Sequence, residues 1–173
     1  NWAPITINSG SELQLLNNIT IGSSTVTPAV VVNVNGILDF QNYTISAGAS
    51  TVPRINTIAG VTLITSNSGG IGGTGASGIL PNFGSVSTTS AAGRVQLIAG
   101  LNYTFNGPTT TPFNVNMGNP AIVNINANVT NNISGVTTTV TNALNISSGS
   151  TFVLNSTASS NLSLSNTGGL LNI

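Results

Sequence analysis

INSGSELQL, residues 7–15, places an apolar residue, a small residue and a glycine ahead of two apolar residues in alternation. The same order of residue types returns as LIAGLNYTF at 97–105 and ISSGSTFVL at 146–154. A looser version, TIAGVTLIT at 57–65, has Thr at both outer positions. The glycines of these four phrases are Gly10, Gly60, Gly100 and Gly149, separated by 50, 40 and 49 residues. A shorter variant occurs as NGILDF around Gly36 and GGLLNI around Gly169. The phrase reads as a corner. An inward apolar residue ends one strand, a small residue and a Gly bend the chain through backbone angles that a Cβ disfavours, and alternation resumes on the buried side. All six glycines, Gly10, Gly36, Gly60, Gly100, Gly149 and Gly169, are therefore expected at structural bends. Gly10, Gly60, Gly100 and Gly149 are expected along one common edge.

Outward from these corners the apolar period is two. Val30, Val32 and Val34 fall on one side, as do Leu38 and Phe40. Phe113, Val115 and Met117 alternate with Asn, and so do Val123, Ile125, Ala127 and Val129. Period two denotes strands with one buried face. No segment has a sustained helical period; only short turns near 88–92 and Ala143 are candidates for helix.

Recurrent corners at near-regular spacing indicate stacked units. A rung takes roughly 20 to 25 residues, so the repeat holds about two rungs and the chain on the order of seven. The expected fold is all-β, a right-handed parallel β-solenoid forming a single module over residues 1–173. An antiparallel β-sandwich is the alternative, since it too alternates and turns on Gly, but it does not call for one corner phrase four times. A transmembrane barrel would carry aromatic girdles, which the sequence lacks. Residues 66–93, with SGGIGGTGASG and then PNFGSVSTTSAAG, are glycine-dense and read as a loop or insertion on one face.

Composition narrows the chemistry. Only Glu12, Asp39, Arg54 and Arg94 are charged, and Lys, His and Cys are absent. Soluble domains carry about 25% charged residues, against 2% here. Nucleic acid and anionic lipid need Lys/Arg clusters, so neither is an expected partner. Without His or Cys there is no common zinc set and no disulfide framework, and no metal or other cofactor is expected. No run approaches the 18 apolar residues of a membrane helix. No secretory leader can be read at the start, which points to its removal or to a piece of a longer protein.

GILDFQNYTISAGAS (36–50), GVTLITSNSGGIGGTGASG (60–78) and AGLNYTFNG (99–107) together resemble a repeat of very large secreted, adhesin-like surface proteins of Bacteroidota. The matching residues are Leu38, Asp39, Tyr43, Thr44, Ile45 and Ser46, then Gly60, Thr62, Leu63, Thr65, Asn67, Gly70, Ile71 and Gly73, then Ala99, Gly100, Asn102, Tyr103, Phe105, Asn106 and Gly107. The closing stretch 142–173 continues in the same idiom, so the likeness covers most of the chain. It implies a secreted or cell-surface location, a structural or adhesive role and export by type IX secretion. No sorting domain is legible at the C-terminus, which points to a segment of a longer repeat protein.

Catalysis finds few candidates. A glycosidase needs two converging carboxylates; Glu12 and Asp39 are the only acids, and both read as solvated outward positions. A serine nucleophile needs a base, and the chain has neither His nor Lys. Arg54 and Arg94 read as exposed corner residues, with Arg54–Asp39 as a conceivable cross-rung pair. Tyr43 and Tyr103 read as corner fillers. Eight Asn-x-Ser/Thr triplets occur, at Asn18, Asn42, Asn102, Asn128, Asn132, Asn145, Asn155 and Asn161. With 26 Asn and 45 Ser/Thr in 173 residues, chance alone gives about seven, so the triplets say nothing of glycosylation. Stacked Asn ladders account for the Asn equally well. The expected role is a non-enzymatic extracellular module of a fibre or large adhesin, its partners neighbouring copies or modules. A strand-donating filament subunit and a carbohydrate-binding module for surface glycans are the alternatives.

Overall fold

A computed structural model describes residues 4–22, 30–48, 53–71, 78–83, 86–87, 94–109, 118–131, 137–154, 161–164 and 169–173. The chain lays down β1 (Ile5–Ile7), β2 (Glu12–Gln14) and β3 (Ile19–Ile21), one strand on each of three faces. It repeats the circuit as β4 (Val31–Val34), β5 (Ile37–Asp39) and β6 (Ile45–Ala47). Next come β7 (Arg54–Thr57) and β8 (Thr62–Thr65), the short β9 (Val86–Ser87) and β10 (Val95–Gln96), and β11 (Asn102–Phe105). The upper part holds β12 (Ile122–Ile125), β13 (Val129–Asn131), β14 (Thr137–Val140), β15 (Ala143–Ile146), β16 (Phe152–Leu154), β17 (Asn161–Leu164) and β18 (Leu170–Asn172). Among the described residues there is no helix, and Ala143 opens a strand rather than a helical turn. Residues 88–92 lie outside the described residues, as do 113–117.

Every pairing between these strands is parallel. The fold is a β-solenoid, and parallel pairing throughout overturns the sandwich, whose sheets are antiparallel. The coil makes about five turns. Among the described residues only its central sheet reaches the depth of seven expected, in the order β2, β5, β8, β11, β12, β15, β18.

Period two positions the core. Register stacks Leu13, Leu38, Leu63, Tyr103, Val123, Leu144 and Leu171 in one inward file of the central sheet. On the neighbouring face Ile5, Val32, Ile55 and Val95 form another. Val30, Val32, Val34, Leu38, Phe40, Val123, Ile125 and Val129 are all buried, as their alternation predicts. Each fully buried Val, Leu, Ile or Phe contributes about 1.5–3 kcal/mol. Thr138 breaks the pattern: it is buried, and among the described residues its hydroxyl has no hydrogen-bond partner; an unmet buried hydroxyl costs about 1–3 kcal/mol.

The glycine-dense stretch rejoins the coil at two places. The Ile79 and Pro81 carbonyls accept the Ile45 and Ala47 amides at 2.9 and 3.1 Å, which extends the β6 face by one level. Ile79, Leu80 and Phe83 are buried there. The chain then forms β9 one level too far along and returns, so that β10 inserts between β7 and β9. The strand order on this face is accordingly β1, β4, β7, β10, β9.

Candidate functional site

The corner glycines divide into two kinds. Gly10, Gly60, Gly100 and Gly149 all hold positive φ, at 77, 87, 82 and 79°. In three of the phrases the second residue's carbonyl accepts the fifth residue's amide: Ser11 N–H to Asn8 O at 3.0 Å, Val61 N–H to Ile58 O at 3.4 Å, Ser150 N–H to Ser147 O at 2.9 Å. Gly is then the third residue of a β-turn, where type II geometry needs φ near +80°. Gly10, Gly60 and Gly100 turn the corner into the central sheet, with Gly60 N–H bonded to Gly100 O at 2.8 Å. Gly149 does not share that edge: it joins β15 to β16, leaving the central sheet. The phrase specifies a turn, and two different corners use it. Gly36 and Gly169 directly precede central strands. At Gly36 the reason for glycine is space, since an added Cβ would stand 2.3 Å from Ser11 O and 2.4 Å from Asn8 O.

The four charged residues lie on different elements. Glu12 is exposed on β2, as expected. Asp39 is not solvated: it is 4% exposed. Its Oδ1 accepts the Gln41 amide at 2.8 Å, and its Oδ2 accepts Nε2 of Gln14 at 3.3 Å and Nε2 of Gln41. The aspartate closes an Asx-turn on the residue two positions on, and Gln41 takes φ 51° to make it. Three N–H donors compensate the buried charge. Arg54 opens β7 on the adjacent face and Arg94 immediately precedes β10; both are half-buried rather than fully exposed. Among the described residues no three acids, His or Cys gather to hold a metal ion. Tyr103 lies mid-strand in the core rather than at a corner, and burial pushes its phenol well above the usual tyrosine range. Tyr43 is half-buried against the core; Trp2 lies outside the described residues.

What the outer surface does possess is amide ladders. Parallel register sets like side chains about 4.8 Å apart. On the central sheet Asn172 Nδ2 donates to Asn145 Oδ1 (2.6 Å), Asn145 Nδ2 to Asn124 Oδ1 (2.7 Å) and Asn124 Nδ2 to Thr104 Oγ1 (3.0 Å). A second file runs beside it, with Asn126 Nδ2 to Asn106 Oδ1 at 2.9 Å and Ser147 Oγ to Asn126 Oδ1 at 2.6 Å. Asn56 and Asn33 make the same contact at 3.0 Å on the neighbouring face. Several triplet asparagines are thereby engaged: Asn145 in its ladder, Asn102 donating to Gly60 O, Asn18 accepting from Thr44.

The two ends of the coil differ in shape. Beside β1 and β2 lies an open cavity of about 210 Å³, lined by Ile5, Ile7 and Leu13 together with Thr6, Asn8, Ser11 and Glu12. At the other end Leu170, Leu171 and Ile173 stand 58, 50 and 92% exposed. Among the described residues β2 pairs only with β5, and β18 only with β15. Among the described residues no helix is long and apolar enough to cross a membrane. Comparison with family models, curated proteins and solved structures gives no match to this chain.

Proposed function

We propose that the chain is a non-enzymatic, extracellular structural module, one length of a surface fibre or of a large adhesin. The observation that supports this reading is the unbroken seven-strand parallel sheet, laddered on its outside and without a gathered set of reactive groups among the described residues. Such a coil grows along one axis, because each rung contacts only its neighbours. Its near-absence of charge removes the long-range repulsion that keeps soluble proteins apart. The function is mechanical: to hold length and stiffness, and to offer a neutral, hydrogen-bonding surface. Surface glycans are the ligand class that suits such a surface if the module also adheres.

The deciding experiment is electron microscopy of the native polypeptide in its own cell envelope, with antibody raised against residues 1–173. The reading expects label on extracellular filaments whose strands repeat about every 4.8 Å along the long axis. Label confined to the cell interior overturns it.

A further inference from the structure

We propose that Arg54 and Arg94 together form a binding site for one anionic group, the carboxylate or sulfate of an acidic glycan. The site adds a ligand class to the mechanical role, and it rests on the reading as an extracellular module only for the source of that glycan.

Three observations converge on an anionic sugar. The first is register. Arg54 and Arg94 are the chain's only basic side chains, and they stand 40 positions apart in the sequence. Ile55 pairs with Val95, and the Ile55 amide donates to the Arg94 carbonyl at 2.8 Å. One residue back along both segments, Arg54 lies beside Arg94, with about 4.8 Å between their backbones. Ile55 and Val95 point into the core, so alternation turns both arginines to the outer face, where each is half-buried. The inversion of β9 and β10 produces this neighbourhood. In chain order β9 would stand between β7 and β10, and the arginines would sit two levels apart, about 9.6 Å.

The second is charge. Like charges directly opposed on adjacent strands repel, and the net charge of zero conceals this pair. Both acids, Glu12 and Asp39, belong to the central sheet, on β2 and β5, and Asp39 is engaged there by Gln14 and Gln41. The arginines make further contacts within the molecule; what they offer a ligand is their summed charge. The third is chemistry. Each guanidinium is a planar fork of N–H donors that matches paired oxygens of an oxyanion. Two residues along the same outer face, Asn56 Nδ2 donates to Asn33 Oδ1 at 3.0 Å. An amide pair beside a cationic pair suits a sugar ring whose acid group meets the arginines and whose hydroxyls meet the amides. Two cations are too few for nucleic acid, where affinity sums over many phosphate contacts.

The test is titration calorimetry with three soluble polysaccharides: polygalacturonate for the carboxylate, dextran sulfate for the sulfate, and plain dextran as the uncharged control. The parent chain is expected to bind at least one acidic polymer and not dextran, with affinity falling as salt rises. The polymer preferred identifies the acid group. Arg54→Gln and Arg94→Gln should each weaken binding about tenfold, as loss of a charge-assisted bond predicts. Arg54→Lys keeps the charge without the fork and should fall between parent and Arg54→Gln; it also stands in for a Gln variant whose circular dichroism shows a lost fold. Glu12→Gln, on the other sheet, should bind no less tightly than the parent. A parent chain that binds neither acidic polymer, or dextran equally well, overturns the site, as do folded arginine variants that bind like the parent. The outcomes separate from those of the function test. Absence of binding while native filaments carry the label sinks this site alone. Acidic-glycan binding by a chain found only inside cells sinks the fibre reading alone.

Discussion

At the scale of single residues, two glycines on one edge do different work. Gly10 has φ 77° and open space where a Cβ would go. Gly36 has a Cβ direction blocked by two backbone oxygens, because its two-residue corner lies against the longer Asn8–Ser11 turn. Gly10→Ala bears only the left-handed backbone penalty, about 1–2 kcal/mol. Gly36→Ala must move main chain, and overpacking of that kind costs about 3 kcal/mol or more. Urea unfolding of the two variants should rank them in that order; equal losses would mean that the stacking of corners is not what selects Gly36. Sequence alone announced both as bends. It could not separate the two reasons, since one is a local angle and the other a contact between residues 25 or more apart. The same limit explains Gly149. SSGS writes the turn, but which corner the turn occupies depends on how many residues the preceding strands consume. Asp39 was misread as solvated for a related reason: its cover comes from Gln14 on the strand below and from a turn that bends Gln41 back over it.

At the scale of elements, alternation marked Val30, Val32, Val34, Leu38, Phe40, Val123, Ile125 and Val129 as inward because one buried face per strand leaves a period-two record; Ala127 is half-buried outside any strand, and Phe113, Val115 and Met117 lie outside the described residues. The inversion of β9 and β10 left no such record. Each is two residues long, too short for a period, and their pairing joins segments whose order in space departs from their order in the chain. The Asn files were legible as candidates, yet only register shows which Asn meets which. Their contribution can be measured. Asn124 sits inside its ladder, giving one hydrogen bond and receiving one; Asn172, at the terminal strand, gives one. A typical intramolecular bond contributes about 0.5–1.5 kcal/mol net. Asn124→Ala should therefore lose about 1–3 kcal/mol in urea unfolding, and Asn172→Ala about half as much. Equal, negligible effects would reduce the ladders to a by-product of register.

At the scale of the whole molecule, the charge inventory dictates an unusual response to solution conditions. Side chains that ordinarily titrate between about pH 6 and 9 are His and Cys, and the chain has neither. With four charged residues in all, screening by salt has little to act on. Stability should thus stay level across that window and change little with ionic strength. The alkaline side differs because of Tyr103. Burial holds its folded-state phenol protonated well above the ordinary tyrosine range, whereas in the unfolded chain it ionises near pH 10. Above that pH the unfolded state binds fewer protons than the folded state, and stability falls as pH rises. Below pH 10 both states hold the proton and the difference vanishes. Urea midpoints measured from pH 6 to 12 should be flat and then descend, and Tyr103→Phe should descend less steeply than the parent chain. An equal alkaline slope in both would mean that water reaches this phenol in the folded coil, which is incompatible with an inward file packed from Leu13 to Leu144.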